Sequence, residues 1–209
     1  MVVKLLDILL FPKSFYKKIS DKLFTLYLGI VLVGLYNIGF ALVLNNRLGL
    51  FFARPYVFLV YNISLALCLI FLLGLVDVVF FSIPLFDIFK FFRIKERIVN
   101  IKGLLIKLMK VYVVSYFLII PVKMIAAAIG LNGRDLVGSF VAQGSIVILI
   151  NYVLIPLWHS AILARGINTI YNFDDRIKGI VFMVIYSWKT LLGFALGLSV
   201  EKWILLLFR

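Results

Sequence analysis

Residues 23–46 read LFTLYLGIVLVGLYNIGFALVLNN and contain no charged side chain. The run exceeds the roughly 20 apolar residues that carry an α-helix across a ~30 Å hydrocarbon layer. Two further uncharged runs follow, PYVFLVYNISLALCLIFLLGLV at 55–76 and LVGSFVAQGSIVILINYVLIPLWHSAILA at 136–164. Each is again long enough to span. These three stretches decide the fold class: an all-α, polytopic bundle in a membrane.

Composition supports the same reading. The 209-residue chain is 65% hydrophobic and 15% charged, against about half and about a quarter in soluble domains. A soluble fold of this length cannot bury that much apolar surface. Once the spans are subtracted, no room remains for a separate globular domain. The net charge of +13 would suggest nucleic acid in a soluble protein; here the basic residues cluster at span ends, so a membrane explains them and no nucleic-acid partner is expected. The single cysteine, Cys68, lies within an apolar run and reads as a packing residue, with no disulfide framework. The N-terminal stretch has Asp7 and Pro12 and no small-residue cleavage site, so the first span is expected to direct insertion itself.

Five spans are predicted, near 23–44, 56–81, 111–129, 137–163 and 179–200, preceded by a segment over 1–22 and separated after the second by a connection over 82–110. The third and fifth tolerate one lysine each, Lys123 and Lys189. The fourth is over-long and must tilt or begin with a non-spanning part. Lys and Arg then divide unevenly. Five precede the first span, seven lie in 82–110 and three in 164–178, so one side carries fifteen against five on the other. Basic excess marks the cytosolic side, which predicts N-in and C-out in a multi-pass protein.

Two segments read as interfacial amphipathic helices. Within 1–22, Pro12 can open a turn with Phe15, Tyr16 and Ile19 on one side. Over 85–101, Asp87, Lys90, Arg93 and Arg97 recur at three- and four-residue spacing, with Ile88, Phe89, Phe91, Phe92 and Ile98 on the other face. Basic, aromatic helices of this kind lie at the headgroup boundary and favour anionic lipid. Lys90, Arg93, Lys95, Arg97 and Lys102 therefore form a candidate surface for lipid headgroups or a partner protein. Tyr56, Trp158 and Trp203 fall near predicted span ends and read as interface anchors.

Catalytic patterns are absent from the sequence: it has no GxxxxGK[ST], HExxH or GxSxG motif, and its one histidine excludes metal sites built from several imidazoles. No catalytic residue, metal or cofactor is assigned. Asp77 is the one carboxylate well inside a span, which argues against paired-aspartate proteolysis. Ionisable groups inside spans are costly and invite a functional hypothesis. Asp77 and His159 are placed near the cytosolic ends of spans two and four, Lys189 at mid-span, and Lys123 in the outer half of span three. Asp77 is expected to pair with His159 or reach towards Lys189. Such a cluster is either a relay or gate, or an interhelical structural bond with Lys123 snorkelling outward. Gly193 with Gly197, and Ala126 with Gly130, form small-xxx-small steps for close helix contact within the bundle or between copies. Pro121 and Pro156 are expected to kink spans three and four.

Several segments resemble the Yip (Ypt/Rab-interacting) membrane family, in its prokaryotic form. LLDILLFPKSFYKKI resembles that family's N-terminal F-x-x-P-x-x-x-F-x-x-I pattern, carried by Phe11 or Leu10, Pro12, Phe15 or Tyr16, and Ile19. LMKVYVVSYFLIIPVKM is similar to its third span, with Tyr116 and Pro121, and WHSAILARGINTIYNFDDRIKGIVFMVI to its fourth-span exit. The resemblance implies a five-span, N-in/C-out integral membrane protein of a prokaryotic plasma membrane. The long cytosolic region and acidic-aromatic approach to the first span of eukaryotic members are missing, so GTPase binding is not carried over.

The expected function is a non-enzymatic membrane scaffold or accessory subunit, binding a membrane or peripheral protein, or another copy, through its basic cytosolic face. The alternative is a small solute, ion or lipid transporter or channel subunit using Asp77, His159 and Lys189.

Overall fold

The computed structural model describes residues 7–44, 52, 55–92, 101–128 and 149–204. All regular structure among them is helical: α1 (Lys13–Lys17), α2 (Leu23–Leu44), α3 (Tyr56–Phe92), α4 (Ile101–Ala128), α5 (Ile155–Tyr171) and α6 (Lys178–Ser199). A π-helical turn, Leu149–Leu154, leads into α5, and another, Val200–Ile204, continues α6. Five helices are long and apolar enough to cross a membrane, over Leu23–Leu42, Tyr56–Phe92, Ile101–Ala126, Leu149–Tyr171 and Lys178–Trp203. Their outward faces are apolar, with Val57, Met183 and Phe194 more than half exposed. Such a surface is stable against hydrocarbon and would be an aggregation site in water.

The predicted number and order of long apolar helices are observed, but three boundaries differ. α3 continues past residue 81 to Phe92, a length of 37 residues or about 55 Å at 1.5 Å per residue. The reason lies in its buried stripe. Val78, Phe81, Leu85 and Phe89 are fully buried and recur at three- and four-residue spacing, so one face stays in the core to the helix end. Asp87 and Lys90 are exposed on the opposite side, and their charges mark a face of one helix rather than its end. The Phe89 ring meets those of Tyr171 and Phe173, at 5.9 and 5.6 Å. The 85–92 part of the expected interfacial helix is thus continuous with the helix of the second span, and Arg93, Lys95, Arg97 and Ile98 lie outside the described residues. α4 likewise starts at Ile101, well before residue 111, and the fourth helix runs on to Tyr171. Residues 137–148, the expected start of that span, lie outside the described residues.

The N-terminal segment packs onto the bundle through a turn. Residues 7–10 are helical, Phe11 takes a positive φ of 59°, and Pro12 opens α1. This turn tucks Leu10 and Phe11 against a cluster built on Ile119, Ile155 and Ile162. Three polar contacts hold it to α5. The Trp158 indole donates to the Leu9 carbonyl at 3.0 Å, Arg165 forms an ion pair with Asp7, and the Tyr16 hydroxyl donates to the Leu10 carbonyl at 2.9 Å while lying 3.3 Å from that of Ile162. Burial pushes the Tyr16 phenol far above its usual range, partly opposed by Arg165. Trp158 therefore fastens this segment near the middle of the fourth long helix.

α2 and α3 form the most extensive helix pair. They run antiparallel and cross backbone to backbone at Gly34 and Gly74. A Cβ on Gly34 would overlap the Ile70 carbonyl, one on Gly74 the Ile30 carbonyl, and each would sit 3.0 Å from the other's amide nitrogen. By contrast, a Cβ on Gly193 or Gly197 meets nothing within 4 Å, so their small-residue step is not used within the bundle. Gly130 lies outside the described residues. At Pro156 the π-helical turn before α5 provides the irregularity that a missing N–H requires. α4 remains helical through Pro121.

Gly34→Ala and Gly74→Ala should each lower stability by about 1–3 kcal/mol through overpacking against backbone. Gly193→Ala should be neutral. Thermal unfolding in detergent distinguishes the two outcomes.

Candidate functional site

The helices converge on a buried polar network. Asp77 lies on α3 with 1% of its surface exposed. Because α3 extends to Phe92, this carboxylate stands deep within the helix rather than near its end. Three donors surround it. The Tyr112 hydroxyl donates to Oδ1 at 2.6 Å, the Tyr116 hydroxyl to Oδ2 at 2.9 Å, and the Asn37 amide to Oδ2 at 3.0 Å. Tyr112 and Tyr116 are four residues apart on α4, a spacing that puts both side chains on one face. Phe81, one turn beyond Asp77, stacks on Tyr112 with centroids 3.9 Å apart and fixes that ring.

Lys189, from the middle of α6, approaches the other side of the two phenols. Its ammonium donates to the Tyr112 oxygen at 2.6 Å and to the Tyr116 oxygen at 3.1 Å. It also sits 4.7 and 5.2 Å from their ring centroids, within cation–π range. Counting protons assigns every bond. Each phenol has one proton, and both are committed to the carboxylate. The 3.0 Å approach of the two hydroxyl oxygens is then held by Lys189, which donates to both. The carboxylate and ammonium do not touch; two phenols relay between them and leave the cluster neutral.

His159, on α5, reaches the network through its rim. Its Nε2 is 2.7 Å from the Ser115 oxygen, and that hydroxyl donates to the Tyr112 carbonyl at 2.6 Å. With the serine proton used, Nε2 must carry the proton shared with Ser115, which fixes the tautomer. The imidazole lies parallel to Tyr112 at 6.4 Å and edge-on to Tyr116 at 5.3 Å. It is Lys189, therefore, that Asp77 reaches through hydroxyls, while His159 bonds to Ser115. Lys123 stands further along α4, 5.6 Å from the Tyr36 ring centroid, and Tyr36 is edge-on to Tyr116 at 5.3 Å. The four ionisable residues singled out in the sequence thus share one neighbourhood, joined by aromatic rings.

Sequence reasoning missed Asn37, Tyr112 and Ser115 as members, and identified Tyr116 by resemblance alone. In the predicted span 111–129 Tyr112 stands at the very start, where tyrosines are ordinary; only the earlier start of α4, at Ile101, carries both tyrosines to the middle of a helix.

The surface candidates occupy one end of the bundle. Lys90 and Lys102 are exposed at the end of α3 and the start of α4, and Lys17, Lys18 and Lys22 are exposed in and after α1. Arg93, Lys95 and Arg97 lie outside the described residues. Compared with known protein families, curated proteins and solved structures, the chain gives no match.

Removing one partner of a buried, hydrogen-bonded ion pair costs about 3–5 kcal/mol, because the other charge is left uncompensated. Asp77→Asn and Lys189→Met should each destabilise on that scale. The double variant should lose much less than the sum, as measured by unfolding of the four proteins in one detergent.

Proposed function

We propose that the chain is a non-enzymatic integral membrane scaffold or accessory subunit that holds a membrane or peripheral protein, or a second copy of itself, at its basic, cytosolic end. One observation carries this reading. Both oxygens of Asp77 are engaged by donors from two other helices and Lys189 supplies the counter-charge, so the network serves to lock the helices in register rather than to present a reactive group. A locked bundle suits a platform whose binding surface lies elsewhere, and the exposed lysines of α1, α3 and α4 supply that surface. The Yip-type resemblance belongs to this proposal. Its proline position, Pro12, opens α1, and Tyr16 seats that helix on α5.

A second reading is favoured by one specific observation. Lys189, the two tyrosines and Asp77 form a continuous chain of titratable groups at mid-depth, which could pass a proton or respond to an ion in a transporter.

Cross-linking in native-lipid particles should capture a partner or a second copy at the basic end. Replacing Lys17, Lys90 and Lys102 by Glu should abolish capture without lowering thermal stability. Equal capture by the charge-reversed protein would refute the scaffold reading. Solute or proton flux in liposomes containing this protein alone, lost in Asp77→Asn, would establish the transporter instead.

A further inference from the structure

A groove of about 580 Å³ opens between α1, α2 and α4, away from the Asp77 network. Its two ends differ in chemistry. Lys18, Ser20, Thr25 and Lys110 line one end. The Lys110 ammonium donates to the Ser20 carbonyl at 2.8 Å and approaches the Ser20 hydroxyl at 3.3 Å, leaving one of its three N–H donors for a ligand. Lys18 is exposed beside it, and Lys22 adds positive charge against the one carboxylate of this connection, Asp21.

The remainder is apolar and follows the register of two spans. Leu28 and Leu32 line it from α2, and Val114 and Phe117 from α4. α2 and α4 run in the same direction, since Gly29 meets Val113 and Ser20, just before α2, meets Lys110. Thr25 to Leu32 and Lys110 to Phe117 therefore descend together from the basic end, for about 10 Å at 1.5 Å per residue. The wall beyond Phe117 and Leu28, both more than half exposed, is the hydrocarbon surface of the bundle.

From this juxtaposition we propose that the groove is a binding site for one anionic phospholipid, its phosphate held by Lys18 and Lys110 and one acyl chain laid between α2 and α4. Charge complementarity selects the occupant. The paired lysines repel the choline of a zwitterionic lipid and attract a net negative headgroup. The apolar descent demands a chain that a soluble phosphate lacks. The site is independent of any protein partner at the same end.

The test is lipid titration of the detergent-purified full chain, followed by native mass spectrometry. Phosphatidylglycerol should bind at one site in preference to phosphatidylcholine. Lys18→Gln should weaken it roughly fivefold, the scale of one lysine near an anionic surface. Val114→Trp should reduce binding by filling the acyl path, while Lys102→Gln, outside the groove, should leave it unchanged. Neither Lys18 nor Val114 belongs to the Asp77 network, and unchanged thermal unfolding would show that both variants fold. Equal binding of the two lipids would overturn the proposal. So would unchanged phosphatidylglycerol binding in both Lys18→Gln and Val114→Trp, or its full displacement by glycerol phosphate.

Discussion

A carboxylate inside a membrane bundle has to be compensated where it stands, and the arrangement of this protein follows from how Asp77 is compensated. Transfer of an ionised group from water to a low-dielectric interior costs several kcal/mol even after relaxation. Asp77 is buried from bulk water, so the helices must supply its donors. Asp77 takes one donor from α2 and two from α4, and its counter-charge arrives from α6 through the same two phenols. Ser115 and His159 bring α5 to the same place. Rotation of any one helix about its axis would strand a polar group in hydrocarbon. Van der Waals packing alone is a weaker guide to register in a bundle whose solvent is as apolar as its core.

The two tyrosines solve a geometric problem that a direct salt bridge would leave open. A phenol gives its proton to one side and accepts on the other, so two phenols separate carboxylate from ammonium while serving both. They also add ring surface, over which the Lys189 charge sits. The arrangement spreads the charges across four helices. Elsewhere the fold relies on close approach, at Gly34 with Gly74 and where the Tyr16 ring lies against Gly166.

Much of this fold is legible in the sequence, for a specific reason. Uncharged runs such as 23–46 report directly on the free energy of crossing hydrocarbon, so the number and order of spans follow from length. Ends are less legible because a charge in the sequence reads as a terminator. Asp87 and Lys90 interrupt an apolar run in sequence, yet they occupy the exposed face of a helix whose other face buries Leu85 and Phe89. Asp77, His159, Lys123 and Lys189 stand out because ionisable groups in spans are rare. Asn37, Tyr112 and Ser115 do not, since their cost is small enough that a hydropathy reading treats them as ordinary span residues. The N-terminal turn is the least legible part. Its placement depends on Trp158, Arg165 and Tyr16 meeting Leu9, Asp7 and Ile162, contacts about 150 residues apart that no local pattern encodes.

These features separate the molecule into regions with different tolerance. At the centre, the Asp77 network joins side chains of α2 through α6, so a change there propagates to several helices at once. At the basic end, most lysines are exposed, and their charge can be used without loosening the bundle. Lys110 stands between the two regimes: it is buried, it fastens the connection before α2 to α4, and it lines the groove. A ligand meeting Lys110 would therefore be felt at the junction of α1, α2 and α4, while a protein meeting Lys90 or Lys102 would meet only helix ends.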